Sequence, residues 1–111
     1  MLAQAEAILA LLQANAGGDA RAIIAYLMDV TAEEYAIGVS GGVVTDPGEY
    51  QDAFGFATVA LQQAQRLGDE PLIAAIDALV GLWPAGGPLA ASTPAPVEEI
   101  NVRIAGVHSA L

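Results

Sequence analysis

The 111-residue chain predicts an all-α fold: an antiparallel up-and-down bundle of four to five helices, forming one domain over residues 1–111. Three observations lead to that fold class. The hydrophobic share is 55% and rich in alanine, with only 5% aromatics, a composition suited to helices that approach closely. Apolar residues recur at spacings of three and four along most of the chain. Between these stretches lie Gly, Pro and Asp in the positions that start and stop helices.

Taken in order, residues 2–15 form a first amphipathic stretch, with Leu2, Ala5, Ile8, Leu9 and Leu12 on one face, ended by Gly17-Gly18. Asp19 is placed to cap a second helix, in which Ile23, Ile24, Leu27, Met28, Thr31, Tyr35 and Val39 keep helical spacing. An interruption of this helix is expected near Thr31, which is β-branched and followed by Glu33 and Glu34. Gly41-Gly42 is a turn, because paired glycines lose too much backbone entropy inside a helix.

The best-specified stretch follows. Asp46 is an N-cap, Pro47 fits the first helical position, and Glu49 stands where it can reach back to close a capping box. Tyr50, Ala53, Phe54, Ala57, Ala60, Leu61 and Ala64 then make one apolar stripe, and Gly68 can close the helix in a left-handed cap. Asp69 begins a fourth helix after a turn short enough to force it back antiparallel, with Leu72, Ile73, Ile76, Leu79, Val80 and Trp83 on its apolar face. Residues 84–96 hold four of the six prolines and read as an extended loop. Val97, Ile100, Ile104, Val107 and Leu111 mark a last helix.

The charge balance narrows the function. Thirteen acidic residues face three arginines and no lysine, for a net charge of −10. Nucleic-acid binding rests on Lys and Arg contacts to phosphates and is disfavoured here, whereas cations and basic partners suit an acidic surface. No cysteine is present, so disulfides, thiol nucleophiles and Cys-ligated zinc are excluded. The N-terminus lacks the basic region of a signal peptide and carries Glu6. No apolar run reaches the roughly 18 residues of a membrane span.

Catalysis finds little support in the residues. The single histidine, His108, lies three residues from the end, and no Ser or Thr has nucleophile-elbow surroundings. What remains is carboxylate chemistry. Glu33, Glu34, Asp46, Glu49 and Asp52 fall around the turn between the second and third helices, where a helical hairpin makes the end of one helix a neighbour of the start of the next. Hard cations such as iron(III), calcium or manganese take oxygens of this kind. The metal candidates are Glu34, Glu49 and Asp52; the Glu-x-x-His pattern of carboxylate-bridged di-iron bundles does not occur. Tyr35, Tyr50, Phe54, Phe56 and Trp83 are expected as core or half-buried anchors.

One run of residues resembles a known family. Glu34-Tyr35, Val39, Gly42-x-Val44, Glu49-Tyr50 and Phe56-Ala57 follow, without a gap, a segment of the soluble extracytoplasmic helical domain associated with the bacterial high-affinity iron permeases. Gly41 stands where that family usually has a carboxylate, and Ala36 where it usually has a proline; the membrane helices and the Arg-Glu-x-x-Glu transport motifs are missing. The resemblance marks Glu34, Tyr35, Gly42, Glu49, Tyr50 and Phe56 as its signature. It implies a non-catalytic domain of an iron-uptake system in a periplasmic or extracytoplasmic setting, with its export signal outside this sequence. Such a domain would handle or sense iron or another cation through carboxylate and tyrosine oxygens, or dock to a membrane iron permease or redox protein. The competing expectation is a protein–protein interaction module with no metal role, compatible with a homodimer.

Overall fold

The computed structural model describes residues 19–84 and 93–111. The helix expected over 2–15 and most of the proline-rich loop lie outside the described residues.

Helix α1 spans Ala20–Gly38. The Asp19 carboxylate caps it, accepting from the N–H groups of Arg21 at 3.1 Å and Ala22 at 3.3 Å. Thr31 does not interrupt the helix. Its side chain is buried, and its hydroxyl donates to the Leu27 carbonyl at 2.7 Å, so the polar group is satisfied within the helix. After Gly38 the chain becomes extended. Strand β1 (Val39–Ser40) pairs antiparallel with β2 (Val43–Val44), Val39 opposite Val44 and Ser40 opposite Val43. Gly41 and Gly42 have φ of 60° and 80°, the two consecutive positive values of a tight I′ hairpin. The turn is therefore where the sequence places it, but Val39 belongs to a strand rather than to the helix. Strands of two residues are too short to leave an alternation that sequence reading could detect.

Helix α2 spans Pro47–Leu67 and starts and stops as the sequence predicts. Asp46 accepts from the Glu49 N–H at 3.2 Å, and Gly68 closes the helix at φ 70°. Half of the expected capping box is not formed. The N–H of Asp46, which Glu49 was to receive, donates to the Gly38 carbonyl at 3.2 Å, and Thr45 N–H donates to the same oxygen at 2.8 Å. Helix α3 (Glu70–Val80) follows at once, capped by Asp69, whose carboxylate accepts from Leu72 N–H at 3.2 Å. Trp83 lies beyond α3 instead of on it, in the turn that follows, yet its ring is buried. Helix α4 (Val97–Ala110) begins after Pro96, with Glu98 and Glu99 in the first turn favoured by the positive end of the helix dipole.

The helices pack in a closed ring: α2 lies against α1 and α3, and α4 against α1 and α3. The ion pair from Arg21, at the start of α1, to Asp69, just past the end of α2, fixes the two helices as antiparallel. Ile23, Ile24, Leu27 and Met28 of α1 meet Ala53, Ala57, Ala60 and Ala64 of α2 in the core, where alanines let the backbones approach closely. Phe56, Val59 and Gln63 of α2 are buried as well, outside the single predicted stripe, because two neighbouring helices cover more of α2 than one face.

Candidate functional site

The junction between α1 and α2 is built from backbone before side chains. Gly38 packs so closely on α2 that a Cβ there would lie 2.7 Å from the Tyr50 nitrogen and 3.0 Å from its Cα. Only glycine permits this approach without a backbone shift. The short hairpin then turns the chain directly into the first turn of α2. As a result Glu34, one turn before the end of α1, stands beside Glu49 and Asp52, which share one face of α2 through their spacing of three.

One carboxylate oxygen from each of these three residues lies within 4.8 Å of the other two. Glu34 and Glu49 are partly buried, and Asp52 retains 9% exposure. The Glu34 Oε2 atom is buried with no hydrogen-bond partner among the described residues. Glu34 also sits near the negative end of its helix dipole, where a carboxylate is disfavoured and a cation favoured. None of the arginines serves this group: Arg21 pairs with Asp69 at the far end of α2, Arg103 pairs with Glu99 within α4, and Arg66 is in the last turn of α2. Of the five acids expected to converge, these three do. Asp46 acts as a cap, and Glu33 is exposed and outside the group. His108 is also exposed, with Nε2 3.3 Å from Asp29 Oδ1 between α4 and α1.

Next to the carboxylates in sequence stand the aromatic residues of the resemblance. Tyr35, Tyr50, Phe54 and Trp83 form a cluster in which Trp83 meets Tyr35 edge-on at 5.3 Å, Phe54 at 5.7 Å and Tyr50 at 6.2 Å. The Tyr35 hydroxyl donates to the Ala95 carbonyl at 2.5 Å, tying the segment before α4 to the cluster. Burial, and secondarily the neighbouring Tyr50, hold the Tyr35 hydroxyl well above the ordinary phenol range; burial raises Tyr50 too. Tyr35 is therefore a neutral donor engaged with backbone, which argues against the expected use of its oxygen as a metal ligand. Phe56 is 1% exposed and belongs to the core, and Gly42 to the hairpin turn.

Sequence reasoning missed Gly38. Its one signal is an isolated glycine at the end of an apolar-periodic stretch, overshadowed by the Gly41-Gly42 pair three residues later. It also missed an apolar cavity of about 360 Å³ beside the hairpin, lined by Val39, Gly41, Gly42, Pro94, Val97 and Glu98 among others. No signal in the sequence pairs these segments.

Among the described residues no helix is long and apolar enough to cross a membrane. No curated protein and no solved structure matches the chain significantly. A family model described as the iron permease-associated 4-helix bundle domain matches residues 13–106, which include all four described helices up to the last turn of α4. The chain belongs to the iron permease-associated 4-helix bundle domain family.

Proposed function

We propose that this domain binds a hard cation, iron foremost, through Glu34, Glu49 and Asp52, and presents it in an extracytoplasmic iron-uptake system. The observation that carries this reading is the meeting of three carboxylates from two helices within 4.8 Å. An all-oxygen set with up to three negative charges suits iron(III) or another hard ion better than a soft one. The family's association with iron permeases supports the choice of iron. The proposed role is to hold and pass on the ion, and no catalytic step is assigned to the domain.

The apolar cavity, together with Ile37 and Val43 at 57% exposure each, favours docking as the second reading. In that reading the hairpin end meets a permease or a redox protein, and the acids play no metal role.

Calorimetric titration of metal-stripped protein with iron(III) citrate, iron(II), copper(II) and calcium tests the proposal. Micromolar binding of iron(III), weakened in both Glu34→Gln and Glu49→Gln, is the expected outcome. Flat heats for every ion would overturn the cation role and leave docking as the reading to pursue.

A further inference from the structure

The carboxylate of Glu49 is available to the acid group only because another acceptor takes the hydrogen bond that its position in the sequence invites. Asp46 and Glu49 have the spacing of a capping box, in which the Glu49 carboxylate would turn back onto the Asp46 N–H. In the structure that N–H goes to the Gly38 carbonyl at 3.2 Å, and the Thr45 N–H goes to the same oxygen at 2.8 Å. A carbonyl has two lone pairs, so Gly38 satisfies both donors and completes its own accepting capacity. Asp46 keeps the remaining half of the cap, accepting from the Glu49 N–H.

Gly38 can do this because it has no side chain. A Cβ would stand 2.7 Å from the Tyr50 nitrogen, 3.0 Å from Tyr50 Cα and 3.1 Å from Tyr50 Cβ. Two of those three atoms are backbone, so relief requires α1 and α2 to separate. Such a separation would withdraw the Gly38 carbonyl from Asp46 and move Glu34, four residues earlier, away from Glu49 and Asp52.

We infer that Gly38 is a positioning residue for the Glu34–Glu49–Asp52 group, acting through its carbonyl, which releases Glu49 from the capping box, and through its missing Cβ, which sets the spacing of α1 and α2. The inference rests on the cation-binding reading of that group for its functional meaning, but its structural half stands apart from any ion.

Two measurements test it. The first uses the wild-type protein without metal: NMR couplings across hydrogen bonds identify the acceptor of the Asp46 N–H. A coupling to the Gly38 carbonyl carbon is expected, and a coupling to the Glu49 carboxyl carbon would overturn the inference even if the protein binds ions well.

The second measures affinity for terbium(III), a hard-cation probe, through its luminescence on excitation of Trp83. Wild type, Gly38→Ala and Ile104→Val are compared, the last being a core variant on α4. Gly38→Ala is expected to weaken binding roughly 10- to 100-fold, the range typical of lost support around metal ligands. Ile104→Val should bind as wild type does despite a lower Tm. Equal affinities for Gly38→Ala and wild type would overturn the inference while leaving the cation reading in place. Absence of terbium binding by wild type would overturn the cation reading, and with it the functional half of the inference.

Discussion

The two ends of α2 meet the same problem with the same residue type and reach opposite solutions. At each, an aspartate follows a turn and caps the next helix, Asp46 ahead of α2 and Asp69 ahead of α3. At the far end the acid is neutralised: Arg21 reaches Asp69 at 2.7 Å, and the hydrogen bond from Arg21, with a second from Leu72 N–H, lowers its carboxyl below the usual range. At the hairpin end three further carboxylates face one another, and no arginine pairs with them. Acids at a helix junction are therefore uninformative in themselves. What distinguishes the two ends is that an arginine pairs with the acid at one, while three carboxylates meet at the other.

The largest effect is expected at the aromatic cluster of the hairpin end. Trp83→Ala should lower stability by about 3–5 kcal/mol, read by urea unfolding, because it empties a buried volume shared by Tyr35, Tyr50 and Phe54. A loss below about 1 kcal/mol would mean that the hairpin end is held by backbone alone. At the opposite end, Gly68→Ala places a side chain at φ 70° and should cost about 1–2 kcal/mol. No neighbouring atom lies within 4 Å of the added Cβ, so the effect isolates backbone strain from packing.

The smallest effect concerns pH. The carboxyl of Asp69 is depressed in the folded state, so its contribution is present above the unfolded value near pH 4 and is lost as pH falls through the folded value. Arg21→Ala should therefore make Tm less steeply dependent on pH in the acid range while leaving the slope above about pH 5 unchanged. An unaltered acid slope would show that Leu72 N–H alone sets the Asp69 carboxyl.

These contrasts also mark what could be read from residues. The limits of α2 were legible because Asp46, Pro47 and Gly68 act locally, through a side-chain acceptor, a fixed φ and a permitted positive φ. The convergence of Glu34, Glu49 and Asp52 was legible as topology, since a short turn between helices makes their facing ends neighbours. Three features were not. The bond from Asp46 N–H to the Gly38 carbonyl joins residues eight apart and displaces a strong local rule, the capping box. The place of Trp83 in the core depends on where α3 stops, and Gly81 ends it without the left-handed cap that marks Gly68. The burial of Phe56 and Val59 follows from α2 having two partners, which periodicity on one helix does not reveal.

Completion of the hairpin end by a cation can be measured by calorimetric melting of wild type and Glu34→Gln with and without iron(III) citrate. Ligand at about 100 times its Kd stabilises a folded state by about 2.7 kcal/mol. A clear rise in Tm is expected for wild type and little or none for Glu34→Gln, whose metal-free Tm should equal or exceed that of wild type because a buried carboxylate oxygen with no hydrogen-bond partner is replaced by a neutral amide. Equal responses of the two proteins to iron, or no response from wild type, would contradict completion by a cation.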